Sequence, residues 1–336
     1  MPDPLPSLAS THSWREQLRD AVTDPDELLR ALGLRRQDVD CGADAARQFA
    51  LKAPHSFIRR MRRGDPADPL LRQVLASAQE TLPQAGYVDD PVGETGAANP
   101  RPGLIHKYRG RVLLIVSGGC AVHCRYCFRR HFPYADNQVG RAQWRDALAA
   151  VRADDSIAEV ILSGGDPLVA TDAQLAALVA EIAAIPHVRR LRVHTRLPVV
   201  IPDRVTAGLL EAIQAPRLRT VMVLHSNHAN EIDDTVRAAV TALRAAGVEV
   251  LNQAVLLAGV NDSVDAQVAL NECLFDSGIT PYYLHLLDPV RGAAHFDVPR
   301  ETALALQRAV RARLPGYLVP ALVREEPGAD AKVVLG

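Results

Sequence analysis

The sequence is poor in lysine and in aromatic residues and has no long apolar run, and each of these absences restricts what the protein can be. Of its 38 Lys and Arg residues only Lys52, Lys107 and Lys332 are lysines, so chemistry that needs a primary amine has three candidate side chains. No apolar run approaches the ~18 residues of a membrane-spanning helix. A net charge of −1 and 4% aromatic residues argue against a basic, aromatic surface for nucleic acid.

No stretch near Met1 has the basic, apolar and small-residue order of a secretory signal, so we expect a soluble cytoplasmic protein with reduced thiols. The 336 residues, 48% of them hydrophobic, suffice to bury one large core. Helical spacing predicts early helices over Asp24–Leu32 and Pro69–Leu82. The patterning divides the chain into an N-terminal helical region with a linker (1–105), a core (106–314) and a C-terminal segment (315–336).

Short β-branched runs alternate with amphipathic stretches from Arg111 onward, at intervals of roughly 30 residues. The predicted strands are Val112–Val116, Glu159–Leu162, Leu191–His194, Val221–His225, Val248–Val255 and Pro281–Leu286, with a further extended segment at Tyr317–Val323. The predicted helices are Gln143–Arg152, Asp172–Ile185, Asp203–Gln214, Asp233–Ala246, Val264–Asp276 and Arg300–Arg313. This alternation predicts an α/β fold built on a partial (β/α)6 TIM-like barrel, with a doubly wound open sheet as the alternative.

Three cysteines, Cys120, Cys124 and Cys127, lie within eight residues directly after the first predicted strand. Three thiolates can ligate three irons of a cubane cluster and leave the fourth iron free to bind a small molecule. A structural zinc site completed by His123 or His131 is the alternative, although such sites usually draw their ligands from two separated knuckles. A disulfide cannot pair all three thiols.

Candidate binding residues follow other strands. Gly164 and Gly165 allow close approach of a ligand, and Asp166 either accepts hydrogen bonds from an ammonium group or caps the next helix. The run from His106 to Arg111 gathers basic groups beside an aromatic ring, which suits either an anion such as phosphate or a solvated surface. Asp288 follows the last strand of the barrel.

The chain resembles the radical S-adenosylmethionine (SAM) lysine 2,3-aminomutases, whose cysteines have the same C-x3-C-x2-C spacing. The resemblance extends from about Trp14 to Lys332 and is carried by the runs GGCAVHCRYCFRRHFPY, SGGDPL, HSNHANEID, LNQAVLL, PYYLHLLDPVRGAAHF and GYLVPALVREEPGADAK. Within that family it is similar to the short branch that supplies (R)-β-lysine for modification of elongation factor P. It implies a 4Fe–4S cluster, SAM and pyridoxal 5'-phosphate as cofactors.

The resemblance also implies roles for individual residues. Lys332 matches the lysine that holds pyridoxal phosphate as a Schiff base, so the C-terminal tail should fold over the barrel mouth. The expected phosphate contacts are Lys107, Tyr108 and Arg111. The expected SAM contacts are Gly164, Gly165, Asp166, His228 and Gln253, with Cys120, Cys124 and Cys127 on the cluster.

Arg129 matches the arginine that pairs with the substrate carboxylate, and Asp288 and Glu325 match the two acids that bind the distal ammonium of lysine. Departures from the longer enzymes are Glu325 in place of Asp, His285 in place of Tyr, and Ser263 in place of a zinc-binding cysteine, so we predict no zinc.

Two alternatives stay open at this stage. One is a glutamate or other amino-acid 2,3-aminomutase, which the two acids disfavour because a second substrate carboxylate should meet a cation. The other is a non-catalytic, metal-stabilised binding protein. The expected partners are L-lysine and an electron donor such as flavodoxin or ferredoxin, with no nucleic acid and no membrane. A homo-oligomer is a further expectation.

Overall fold

A computed structural model describes residues 13–137 and 141–335 and has a nine-stranded sheet at its centre, ordered as in the sequence. The strands are β1 (Leu104–Tyr108), β2 (Arg111–Ser117), β3 (Glu159–Gly164), β4 (Arg190–Thr195), β5 (Arg219–His225), β6 (Glu249–Val255), β7 (Thr280–His285), β8 (Ala321–Arg324) and β9 (Val333–Val334). Neighbours from β2 to β8 are parallel, whereas β1 and β9 pair antiparallel at the two ends. In the described residues the sheet does not close, which confirms the α/β partial barrel.

Helices connect the parallel strands and also form the N-terminal region. The α-helices are α1 (Trp14–Arg19), α2 (Pro25–Leu32), α3 (Ala43–Gln48), α4 (His55–Ile58), α5 (Pro69–Arg72), α6 (Arg141–Ala153), α7 (Asp172–Ala183), α8 (Leu197–Val200), α9 (Ala207–Ile213), α10 (Asp234–Ala245), α11 (Val264–Asp276) and α12 (Arg300–Arg311). Short 3-10 helices cover Arg36–Asp38, Ala78–Thr81, Pro167–Val169, Pro202–Arg204, Ala229–Glu231, Ala294–Phe296 and Gly316–Leu318. No helix among the described residues is long and apolar enough to cross a membrane.

All six predicted barrel strands are present, and the prediction of α2 is confirmed because its ends carry specific caps. Asp24 accepts a hydrogen bond from the Asp26 backbone, and Pro25 opens the first turn. Gly33 ends the helix at φ 70°, a left-handed conformation that favours glycine. The buried side chains of α2 join one large core that also contains the sheet and the barrel helices.

Three predicted elements were wrong in extent. In Pro69–Leu82 the α-helix ends at Arg72 and only a 3-10 helix follows, at Ala78–Thr81. The Gln73 carbonyl accepts the Arg125 backbone N–H at 2.9 Å instead of continuing the α-helix. In Asp203–Gln214 the helix begins only at Ala207, after the Thr206 side chain caps the Leu209 N–H. Tyr317–Val323 begins as a 3-10 turn and becomes extended only at β8.

The C-terminal tail returns along the sheet. β9 pairs antiparallel with β8, with Val333 opposite Arg324, and the Leu335 N–H donates to the Leu322 carbonyl at 2.8 Å. This pairing brings Lys332 back to the carboxyl end of β8, where Glu325 follows the strand. The division of the chain at residues 105 and 314 stays a prediction.

Candidate active site

One cavity lies at the carboxyl ends of the parallel strands and collects most of the residues expected to be functional. The cysteine loop after β2 forms one wall, the glycine run after β3 a second, and the ends of β5, β6 and β7 the rest. The expected site residues that line it are Cys120, Cys124, Cys127, Arg129, Gly164, Gly165, Asp166, Gln253 and Asp288. The cavity therefore joins the proposed cluster loop to Arg129 and Asp288. The expected residues that are not among its lining residues are Lys107, Tyr108, Arg111, His228, Glu325 and Lys332.

The three cysteines present their side chains to this cavity from a single loop. Burial raises the pKa of Cys120 and raises that of Cys127 to about 11, and the Cys124 sulfur adds to both shifts. Lys52 opposes the rise at Cys120, and Arg129 opposes it at Cys127. Ligation of a metal cluster would therefore displace protons from Cys120 and Cys127. In residues 13–137 and 141–335, no three His, Cys, Asp or Glu side chains converge closely enough for a single metal ion.

Gly164 and Gly165 are required by the close approach of the cysteine loop. Gly164 has φ +120°, and a Cβ on Gly165 would lie 2.5 Å from the Gly119 carbonyl oxygen. The backbone N–H of Gly165 donates to the Ser117 carbonyl at 2.7 Å. These contacts leave no room for a side chain, so the two loops can meet only with glycine here.

Replacing Gly165 by Ala is expected to push the two loops apart, because the added methyl group collides with backbone atoms of Gly119. We expect a loss of about 1–3 kcal/mol of folding free energy, measured by chemical unfolding, together with weaker SAM binding. Gly316→Ala is the matched control, since a Cβ at Gly316 meets nothing within 4 Å. Equal unfolding curves for the two variants would contradict this account of the loop.

Asp166 has the capping role that the sequence left as the alternative. Its Oδ1 accepts from Thr195 Oγ1 at 2.7 Å and from Leu168 N, and its Oδ2 accepts from the backbone N–H groups of Arg196 and Leu197. These four hydrogen bonds occupy both oxygens, so the carboxylate is committed to holding the loops after β3 and β4 together. The expectation that Asp166 itself accepts an ammonium group is corrected on this ground.

Arg129 is held by a residue that the sequence did not single out. Glu94 accepts hydrogen bonds from Arg129 Nε at 2.6 Å and from Nη2 at 2.9 Å, while Nη1 donates to Ser163 Oγ and the Gly164 carbonyl. Both side chains are buried. A substrate carboxylate at Arg129 must therefore share the guanidinium with Glu94 or replace it. The sequence of the Gly-rich loop around Glu94 carries no signal that separates this buried acid from the acids that loops usually expose to solvent.

Beside this pair lies a second charged cluster at the tail. Glu325 forms ion pairs with Lys107 and, at 2.7 Å, with Lys332. Burial opposes ionisation, but the two lysines lower the pKa of Glu325 to about 2. Arg111 stacks over the Tyr108 ring, 4.5 Å from its centroid, and the buried Tyr108 hydroxyl has no hydrogen-bond partner. Two of the three expected phosphate residues, Lys107 and Tyr108, thus lie against an acid of the chain itself.

Asp288 is the second acid of this region. Burial and the negative charge of Glu325 raise its pKa to about 7, although Lys332 and Lys107 oppose the shift. Its Oδ1 is buried without a hydrogen-bond partner. Asp288 and Glu325 therefore form a close acid pair in which a cation would stabilise the charged form of Asp288.

Of the two histidines at the end of β5, His225 lines the cavity and His228 does not, so the expectation for His228 is corrected. His228 caps the 3-10 helix Ala229–Glu231, and its Nδ1 accepts the Asn230 backbone N–H. His225, the last residue of β5, lines the cavity together with His194 near the end of β4. The position at the inward face of a strand end was the signal that could have identified both.

The cavity fits a polar organic ligand. Burial lowers the pKa of His225 to about 3 and lowers that of His194 and His285, so these rings are neutral. Several buried polar atoms of its lining residues have no protein partner, namely His194 Nε2, His225 Nε2, Gln253 Oε1 and Asp288 Oδ1. Because buried polar groups are normally hydrogen-bonded, this set indicates a binding site for groups such as a nucleoside, a phosphate ester or an amino acid.

Comparisons with known proteins agree with this geometry. A family model described as the Radical SAM superfamily matches residues 114–267. The chain is 50% identical to L-lysine 2,3-aminomutase of Escherichia coli (strain K12), over 97% of this chain and 95% of that protein. Identity is 45% to the L-lysine 2,3-aminomutase of Haemophilus influenzae, over 98% and 97% respectively. It is 32% to that of Clostridium subterminale, over 97% of this chain and 78% of that protein.

Proposed function

This chain belongs to the L-lysine 2,3-aminomutase family of radical SAM enzymes, and we propose that it moves the α-amino group of L-lysine to C3, giving β-lysine. It is an enzyme of the isomerase class, and its cofactors are a 4Fe–4S cluster, SAM and pyridoxal phosphate. Membership of this family excludes the alternative of a non-catalytic, metal-stabilised binding protein. The observation that carries the assignment of substrate is the acid pair Asp288 and Glu325 beside Lys332.

Each cofactor has residues suited to hold it. Cys120, Cys124 and Cys127 would bind the cluster from the loop after β2, and Gln253 and His225 offer unpartnered atoms to SAM. For pyridoxal phosphate, Lys332 would form the covalent link, with Lys107, Tyr108 and Arg111 at the phosphate. When bound, SAM on the reduced cluster supplies a hydrogen-abstracting carbon radical, and pyridoxal phosphate carries the migrating nitrogen.

The charges of the chain select the substrate. With Lys332 linked to pyridoxal phosphate and Lys107 at its phosphate, Asp288 and Glu325 would be left to bind an ammonium group, and a second carboxylate in the same place would be repelled. Arg129 supplies the cation for the α-carboxylate at the other wall. Lysine satisfies both ends, and glutamate satisfies only one. Arg129 and the Oδ1 atom of Asp288 are buried, which limits the access of water to a reactive radical.

The experiment that tests this assignment compares lysine with glutamate in the anaerobically reconstituted protein, with SAM, pyridoxal phosphate and dithionite present. We expect β-lysine from L-lysine and a kcat/KM for glutamate lower by at least about 100-fold, since misplacing a charge at a buried site costs several kcal/mol. A kcat/KM for glutamate above that for lysine would overturn the choice of substrate.

Glu94 gives a second test of the substrate site. In Glu94→Gln the Arg129 guanidinium keeps one hydrogen bond but loses its competing carboxylate, so it attracts the substrate carboxylate more strongly. We expect KM for lysine to fall about fivefold, equivalent to ~1 kcal/mol. Carboxylate-free 1,5-diaminopentane serves as the control ligand, and its inhibition constant should not change. A higher KM for lysine would contradict this reading of the Arg129 site.

The finer biological setting is also a proposal. Similarity is higher to the relatives that this chain covers almost completely than to the longer Clostridium subterminale protein, which supports placement in the short branch. On the resemblance to that branch, we propose that the product is (R)-β-lysine used to modify elongation factor P, and that a flavodoxin or ferredoxin supplies the electron in the cytoplasm. Assembly as a homo-oligomer belongs to the same proposal.

A further inference from the structure

We propose that Arg196 sets the reduction potential of the iron–sulfur cluster by donating a hydrogen bond to the sulfur of Cys124. The inference rests on the proposed function only in that Cys124 ligates a cluster. It assigns to Arg196, the residue that follows β4, a role that neither the cysteine spacing nor the family resemblance indicates. Arg196 would act on the cluster through the sulfur of Cys124 and would not contact the substrate.

The geometry at the sulfur is specific. Arg196 Nη1 lies 2.8 Å from Cys124 Sγ, and the same nitrogen donates its second hydrogen to the Tyr126 hydroxyl at 2.7 Å. Arg196 Nη2 donates to Gln73 Oε1 at 2.7 Å and to Glu231 Oε2 at 2.9 Å. All four terminal hydrogens of the guanidinium thus have separate partners, which fixes its plane and directs one N–H at the sulfur.

The surroundings keep this contact rigid. Only 5% of the Arg196 side chain is exposed, and the Tyr126 hydroxyl accepts a second hydrogen bond from Asn227 Nδ2 at 2.7 Å. Glu231 balances the charge of Arg196 and is itself fully buried. A guanidinium at this depth interacts with the sulfur with little screening by water, so the contact has a larger electrostatic effect than one at the surface.

Cys124 differs from the other two ligands in this respect. Cys120 has Lys52 as its nearest cation, and Lys52 is only half-buried. Cys127 accepts the backbone N–H of Arg129, but the side-chain N–H groups of Arg129 go to Glu94, Ser163 and Gly164. Among these three cysteines, only the Cys124 sulfur accepts a hydrogen bond from a guanidinium.

The direction of the effect follows from charge. One-electron reduction by a donor such as dithionite adds a negative charge that is shared by the irons and their thiolates. A cationic N–H donor on one thiolate stabilises the reduced form more than the oxidised form, and hydrogen bonds to the sulfurs are known to tune such potentials. Arg196 therefore raises the potential and makes reduction of the cluster easier.

The test is a redox titration of the reconstituted, SAM-free protein followed by electron paramagnetic resonance, with iron and sulfide contents matched among variants. Arg196→Lys keeps the charge but loses the fork that reaches Cys124, and we expect its reduction equilibrium to become about tenfold less favourable, which is ~59 mV for one electron. Tyr126→Phe removes one acceptor that fixes Nη1, and we expect about a threefold effect. Tyr282→Phe is the control, since Tyr282 lies near the opposite end of β7.

Lower potentials in Arg196→Lys and Tyr126→Phe, with Tyr282→Phe unchanged, support the proposal. Unchanged potentials in both fully loaded variants overturn it. If Arg196→Lys binds no cluster, Gln73→Leu decides in the same two ways, because it removes an acceptor of Arg196 Nη2, whereas the Tyr126 hydroxyl itself also bonds to Cys124. The titration contains no lysine, so it does not depend on the aminomutase assignment. Failure of that assignment would appear in the separate activity assay, as a protein with a normal potential that forms no β-lysine.

Discussion

In Lys332→Ala the visible absorbance of pyridoxal phosphate linked to lysine is expected to be absent, and β-lysine formation is expected to fall below detection. The chain offers only two other lysine amines. Lys107 is paired with Glu325 and also contacts the Val92 carbonyl, and Lys52 lies beside Cys120, away from the tail. Lys332 shares the Glu325 contact with Lys107, but only Lys332 matches the family lysine that forms the covalent link, so we expect neither of the other lysines to replace the amine that β9 brings to the carboxyl end of β8. The measurement is the absorbance spectrum after reconstitution with each cofactor.

The cluster provides the internal control for this variant. Its broad absorbance and its iron and sulfide content should match those of the unmodified protein, because Lys332 pairs with Glu325 and lies over the Tyr283 ring, at the tail and the end of β7. Lys52→Ala is the matched lysine control and should keep the pyridoxal phosphate absorbance. A Lys332→Ala protein that retains that absorbance, or a Lys52→Ala protein that loses it, would show that the covalent link is made elsewhere.

Asp288→Asn is expected to lower kcat/KM for lysine by roughly 100-fold, because removing one partner of a buried charge pair costs about 2–5 kcal/mol.

The raised pKa of Asp288 also predicts that kcat/KM depends on pH. Its carboxyl is protonated below about pH 7 and charged above it, so kcat/KM should rise with pH through that range. The lysine side chain stays an ammonium there, since its ordinary pKa is about 10.4. Asp288→Asn should lack this rise.

The folded protein allows a control on that variant. Because burial raises the pKa of Asp288, ionisation of this group destabilises the folded state as pH rises towards 7, and Asn removes the cost. Asp288→Asn should therefore be at least as stable as the unmodified protein at pH 8 in thermal unfolding. A rise in kcat/KM that persists unchanged in the variant would assign the titration to another group.

Sequence patterning predicted the barrel because its signals are local. β-branched runs and helical spacing alternate regularly, and caps such as Asp24 and Gly33 act within a few residues. The helix predicted over Pro69–Leu82 was wrong for a non-local reason, since the Gln73 carbonyl bonds to Arg125, far along the chain. Spacing within one segment carries no information about such a partner.

Some residues of the candidate site could likewise be predicted from local sequence signals, and others could not. The cysteine spacing and the scarcity of lysine restrict the chemistry so strongly that Cys120, Cys124, Cys127 and Lys332 could be named from the sequence. Which of two nearby histidines lines the cavity depends on how the chain leaves β5, and the family resemblance pointed to His228, which does not line it. The partners Glu94 and Arg196 come from a loop and a neighbouring strand end, so only the folded chain reveals them.

We expect the three cysteines to hold a cluster whose fourth iron binds SAM. Electron–nuclear double resonance of the reduced protein, with SAM labelled by nitrogen-15 in its amino group and oxygen-17 in its carboxylate, measures this binding. We expect hyperfine coupling of both labels to the cluster, and we expect this coupling to be lost when Cys124 is replaced by Ala. A fully loaded cluster that shows no coupling to either label would contradict it.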